Sequence, residues 1–179
     1  LCFLYSSFLF GQNIGDFQSV IPTSRTTEFT IPDSHTFQKI ISQGDPLTEG
    51  GALMGNNDFT GYVPINGSST NGFLSINAET LPGGVSVLDI NYNNSTKLWV
   101  TTLSKAVDFS PIAGTAANCS GTVTPWNTII SCEEYTSKEL VASNLITDLD
   151  INNDGYDDLG WAVEINPVTK TVIDKRWAL

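Results

Sequence analysis

The most constraining feature of this chain is a cadence of short β-type runs broken by turn residues. The runs fall at about residues 58–65, 72–77, 85–92, 96–103, 126–132, 161–166 and 170–177. They are rich in β-branched and aromatic residues, which fit a pleated, half-buried surface. Asn66-Gly67-Ser68, Pro82-Gly83-Gly84 and the polar stretch from Asn91 to Ser95 supply the turns between them. Many short strands at even spacing predict an all-β fold, either a sandwich or a set of propeller blades. No clean internal repeat decides for a propeller. One modest helix is expected over 137–148, with Leu140, Leu145 and Ile146 as its apolar positions. The segment from about 13 to 50 reads as an irregular lead-in punctuated by Pro22, Pro32 and Pro46. Within it, Phe37-Gln38-Lys39-Ile40-Ile41-Ser42 predicts a first strand.

With 179 residues the chain has room for one domain. Its hydrophobic content of 40% and charged content of 15% exclude a disordered chain or a coiled coil. The net charge of -11 repels a nucleic-acid backbone, so a non-specific DNA or RNA binder is excluded as a class. The same charge suits metal cations.

Residues 1–12 read as the rear of a signal peptide: a short apolar run, then Gly11 and Gln12. The run is too short to span a bilayer. Export is therefore expected, with residues 13–179 as the exported part and a periplasmic, cell-surface or secreted location. Setting Cys2 aside, Cys119 and Cys132 remain, either paired as a disulfide or free with one on a metal. His35 is the only histidine. A His-based zinc site or a Ser-His-Asp triad has no support from it, and it reads as a surface or loop residue.

Four groups of residues suit metal chemistry. Cys132-Glu133-Glu134 closes an apolar run. On a strand, Cys132 and Glu134 share one face and Glu133 takes the other. A thiolate beside a carboxylate suits a transition metal. Asn77-Ala78-Glu79 ends another strand, and Asn56-Asn57-Asp58-Phe59 begins one. The fourth group is the stretch from Asp148 to Asp158. There Asp150, Asn152, Asp154 and Asp158 fit the spacing of a calcium loop, with Gly155 allowing the sharp bend. Trp161 stands where a helix–loop–helix site would carry Glu, so the stretch is closer to the shorter Asp-rich loops of β proteins. Phosphate-binding glycine loops, Gly-x-Ser-x-Gly elbows and Cys-x-x-Cys pairs are absent from the sequence.

Taken in order, these segments resemble the PhoX family of alkaline phosphatases. The resemblance runs from about Phe37 to Leu179. It is carried by Gly44-Asp45-Pro46-Leu47, Asn56-Asn57-Asp58-Phe59 and Asn77-Ala78-Glu79. It continues through Asn118-Cys119-Ser120-Gly121, Thr124-Pro125-Trp126 and Ser131-Cys132-Glu133-Glu134. It closes on Gly160-Trp161-Ala162-Val163-Glu164-Ile165-Asn166-Pro167. It implies a β-propeller with iron and calcium at its centre, hydrolysing small phosphomonoesters in an exported enzyme. It implies Cys132 as an iron ligand, Glu133 or Glu134 and Glu79 as carboxylate ligands, and Asn57 and Asp58 as further members.

Ala78 departs from the family's His, and Thr122 from its second Gly. Residues 104–113 lack the family's arginines. The family continues beyond Leu179, which implies an N-terminal fragment carrying the first blades. A monomer is expected. The rival expectation is a non-catalytic, calcium-stabilised exported propeller with a binding or adhesion role.

Overall fold

The computed structural model describes residues 18–21 and 30–176. The signal-peptide remnant expected over 1–12 lies outside them. The chain divides into two units, residues 1–38 and residues 39–179. In the first, residues 30–38 are irregular, with a turn in which the His35 N–H donates to the Pro32 carbonyl.

In the second unit the expected β cadence forms two four-stranded antiparallel sheets. The first joins β1 (Asn57–Pro64), β2 (Asn71–Ala78), β3 (Gly84–Asn93) and β4 (Leu98–Ala106), each paired with the next. The second joins β5 (Asn118–Val123), β6 (Ile129–Glu133), β7 (Ala162–Asn166) and β8 (Thr171–Arg176) in the same way. Each strand pairs with its sequence neighbour, so both sheets are meanders, and the β6–β7 connection, residues 134–161, is the long one. The chain is all-β.

Three expectations change. Residues 37–42 are not a strand. They find no ladder partner, and Ile40 and Ile41 instead lay their side chains on the core. The helix is only α1 (Ser137–Ala142). It opens on a capping box formed by Thr136 and Glu139, and Asn144 just beyond it turns left-handed at φ 57°. Leu140 is buried, whereas Leu145 points to solvent. Finally, residues 118–123, outside the expected runs, form strand β5, and the start of the run expected at 126–132 is the turn Thr124 to Thr128.

Alternation along the strands explains the layers. Val63, Phe73, Val85 and Val87 from the first sheet meet Ile129, Val163 and Ile165 from the second, with Val107 and Phe109 completing this core. The opposite face of the first sheet, through Ile76, Leu88 and Ile90, is covered by Leu47 and Leu53 of the preceding segment. At an order of 2 kcal/mol for each fully buried aliphatic side chain, these two layers carry most of the driving force.

Polar groups fix the joint between the sheets. The Asn77 side-chain amide, fully buried on β2, donates to the Cys119 and Ser120 carbonyls of β5 at 3.1 and 3.0 Å. Nearer the turn joining β7 to β8, Lys170 pairs with Asp89 at 2.6 Å and lies over the Phe73 ring. Gly121 of β5 sits where a Cβ would come within 2.5 Å of the Ile130 carbonyl and 2.6 Å of the Phe59 ring. Only glycine lets β5 approach β1 this closely. Gly121→Ala should therefore lower the unfolding free energy by about 1–3 kcal/mol. The measurement is a chemical-denaturation midpoint, and an unchanged midpoint would show that the joint has spare room.

Candidate functional site: a carboxylate pair at the joint of the two sheets

The chain leaves β2 through Glu79 and leaves β6 through Glu134. Short backbone bonds set these two exits side by side. The Glu79 N–H donates to Asn56 O at 3.0 Å, the Ala117 N–H to Thr80 O at 2.8 Å, and the Glu134 N–H to Ala117 O at 3.0 Å. Residues 115–117 thus link the backbone beside Glu79 to the backbone of Glu134.

Glu79 and Glu134 are in side-chain hydrogen-bond contact, with the Asp58 charge close enough to be felt. Two carboxylates can share such a bond only if one of them holds a proton. Partial burial, then the bond and charge of Glu134, then the charge of Asp58, push the Glu79 carboxyl above its ordinary range. Tyr135 hydrogen-bonds Glu134, and that neighbouring charge holds its phenol protonated above the usual range.

The other expected ligands lie elsewhere. Glu133 points into the protein, and its side chain is fully buried. Its Oε1 accepts the Ala116 N–H at 2.7 Å, and its Oε2 accepts the Gly160 and Trp161 N–H groups, both at 3.0 Å. The Lys175 ammonium stands 3.8 Å away. Burial raises the Glu133 carboxyl, against the pull of Lys175 and the three N–H donors. Cys132 sits on the opposite face of β6, half-buried, in a groove with Ser120, Thr122, Trp126 and Ile130. Cys119 and Cys132 are both free thiols. The Asn57 side-chain amide donates to Met54 O and Asn77 O.

Asp150, Asn152, Asp154 and Asp158 form a tight loop apart from this joint. Their oxygens accept backbone N–H groups of the same loop: Asp150 from Asp154 and Gly155, Asn152 from Asp154, Asp154 from Tyr156, and Asp158 from Ile151 and Asn152. Among the described residues, no three His, Cys, Asp or Glu side chains close on one point as a bound metal requires. The Glu79–Glu134 pair with Asp58 beside it falls short of that.

Three participants were not singled out from the sequence. The Lys175 side chain is buried and also donates to the Gly114 and Asp158 carbonyls. Burial lowers its pKa, against the opposing charges of Glu133 and Asp158. Tyr135 had only its position after Cys132-Glu133-Glu134 as a signal. Glu164 accepts Trp126 Nε1–H at 2.8 Å, the Thr128 hydroxyl at 2.7 Å and the Arg176 guanidinium at 2.9 Å. These bonds bring its carboxyl down to about 2. They anchor the otherwise exposed Trp126 at the rim of the Cys132 groove.

Against this geometry, comparison with known families gives a match in the second sheet and the strand before it. Residues 95–178 match the family model described as alkaline phosphatase PhoX. The match covers a little under half of the chain and contains Cys132, Glu133 and Glu134. Asn57, Asp58 and Glu79 lie outside it. No curated protein and no solved structure gives a significant match. The PhoX resemblance read from the sequence motifs thus rests on β4 through β8 and the connections between them. Phosphatase chemistry on small phosphate esters is what a PhoX match suggests for this part of the chain. No helix among the described residues is long and apolar enough to cross a membrane.

The shift on Glu79 makes a stability prediction. Because its folded pKa is raised, the folded chain holds the proton more tightly than the unfolded chain does. That stabilisation is complete below the ordinary carboxylate range and is lost as pH rises through the folded value. In chelator-treated protein, Glu79→Gln should therefore gain melting temperature relative to the parent between about pH 4 and about pH 7. Parallel melting curves across that range would show that the two carboxylates do not interact.

Proposed function

We propose that the chain is part of an exported, metal-dependent phosphatase that hydrolyses phosphomonoesters. The observation that carries this reading is the Glu79–Glu134 contact. Like-charged side chains are brought together across two sheets, and the sheet that supplies Glu134 carries the PhoX match. Such an arrangement costs stability unless a cation joins it, and costly charge clusters concentrate at functional sites.

The donors at the joint are all oxygens: three carboxylates with a phenol alongside. That set fits a hard cation such as calcium. Glu79 and Glu134, with Asp58 nearby, would supply part of its shell and further donors would complete it, while Tyr135 would orient Glu134 through its O–H. Bound there, the cation supplies charge neutralisation to phosphate oxygens, so an in-line displacement needs no nucleophilic side chain. For iron, Cys132 would be the soft donor. Its thiol opens onto the groove beside Trp126. Asn57 lies next to the cluster in sequence and would serve it as a neutral oxygen donor. The loop with Asp150, Asn152, Asp154 and Asp158 would take a separate calcium ion, its backbone N–H bonds giving way to the metal.

That loop also supports the second reading, a non-catalytic exported β protein stabilised by calcium, with a binding or adhesion role. Ala78, buried at the end of β2 where the family carries His, favours it. Full-length protein purified with its metals separates the two. The phosphatase reading expects turnover of p-nitrophenyl phosphate. It expects Glu134→Gln and Glu79→Gln each to lower kcat/KM on the order of 100-fold. It also expects Cys132→Ser to remove both iron and activity. Calcium without iron, and no turnover, would leave the non-catalytic reading standing.

A further inference from the structure

The sequence contains two Asn-Gly pairs close together, Asn66-Gly67 and Asn71-Gly72. The fold puts them in opposite settings. Asn66 and Gly67 form the exposed tip of the β1–β2 hairpin, both in the left-handed region at φ 52° and 72°. The Ser68 N–H closes this turn on Ile65 O at 3.0 Å, and the Ile65 N–H reaches Asn71 O at 3.0 Å beneath it. Among the described residues, no hydrogen bond holds the Gly67 N–H or the Asn66 side chain. The space where a Gly67 Cβ would stand is open, with nothing within 4 Å.

Asn71 and Gly72 instead begin β2. Gly72 is buried in the ladder between Pro64 of β1 and Ile90 of β3, and a Cβ there would lie 2.5 Å from Val63 O. The related acidic pair, Asp154-Gly155, is also held: the Gly155 N–H donates to Asp150 at 2.8 Å.

An Asn-Gly pair carries a reaction of its own. The glycine amide nitrogen gives up its proton and attacks the asparagine Cγ. A C–N bond forms, the carboxamide C–N bond breaks, and ammonia leaves. Water then opens the resulting succinimide at either carbonyl, giving aspartate or isoaspartate. Water is the sole co-reactant, and glycine leaves the attacking nitrogen unobstructed. We propose that Asn66 is a site of spontaneous deamidation in the folded protein, and that the fold protects Asn71. To bring Gly67 N onto Asn66 Cγ, the backbone must rotate out of the left-handed turn. There this breaks one backbone bond, from Ser68 to Ile65. At Asn71 the same rotation breaks the pairing of β2 with both of its neighbours. Opening a hairpin tip costs far less than opening a central strand.

Either product adds a negative charge to a chain that already carries -11. Isoaspartate also lengthens the turn's backbone by one methylene. Asn66 borders an apolar cleft with Ile65, Phe73, Pro167 and Val168, so the new carboxylate stands at the rim of that cleft.

The test incubates the full-length protein in mildly alkaline buffer and follows both positions by peptide mapping and mass spectrometry, reading the gain of one mass unit. Position 66 should convert at least about 10-fold faster than position 71 while the protein is folded. In urea the two rates should converge, since both pairs then react as free chain. Gly67→Ala crowds the attacking nitrogen and should slow position 66 about 10-fold, with circular dichroism confirming the fold. Equal rates at the two positions in the folded protein would overturn the proposal. So would an unchanged Asn66 over a time in which the urea-unfolded chain converts fully.

Discussion

Residues 115–117 are the constraint on which the rest of this structure depends. They carry no regular structure, yet their backbone groups bind to both sheets. Thr115 O and Ala117 N–H face the exit of β2, Ala117 O faces the exit of β6, and Ala116 N–H is held by the buried Glu133 carboxylate. A buried carboxylate is costly unless its lone pairs are filled, and here three N–H donors and an ammonium fill them. The apolar core between Val63, Val87, Ile129 and Val163 supplies the bulk of the stability. It would nevertheless tolerate small sliding of one sheet on the other. The Glu133 clamp and the Asn77 bridge to β5 remove that freedom.

Removing it has a chemical consequence. Glu79 and Glu134 end up in contact, with Asp58 adding to the field. Nothing about packing calls for two carboxylates there, and the cluster lies at the surface, where the chain was free to separate them. The raised Glu79 carboxyl takes up a proton in answer to those neighbouring charges. The PhoX match over residues 95–178 falls on the sheet that leads into Glu134. Glu164 makes a useful contrast. It is just as buried as a framework carboxylate should be, but three donors converge on it, and its carboxyl falls to about 2 rather than rising.

The strands were legible wherever side chains alternate between β-branched and small polar residues, because burial on one face leaves a period-two trace. Strand β5 left none. Asn118-Cys119-Ser120-Gly121-Thr122 is polar, and it is a strand because it pairs with β6, with Asn77 and Phe59 of the other sheet meeting it closely. The Phe37 to Ser42 run had the right residues for a strand and no edge to join. The helix stopped early at a left-handed asparagine that apolar spacing does not register. Within the site, Glu79 and Glu134 stood out through motif order. Adjacent glutamates look alike in a sequence, however, and the inward turn of Glu133 depends on N–H groups 17 to 28 residues away. Lys175 gave no local sign, since its partners come from three other segments.

The central claim is that the joint of the two sheets holds a cation between Glu79 and Glu134. Anomalous diffraction from crystals of the full-length protein, grown at neutral pH with calcium replaced by manganese, tests it most directly. The account predicts an anomalous peak within coordination distance of both carboxylates. Crystals with manganese bound at the 150–158 loop or elsewhere, but with Glu79 and Glu134 still sharing a direct hydrogen bond and no peak beside them, would contradict it.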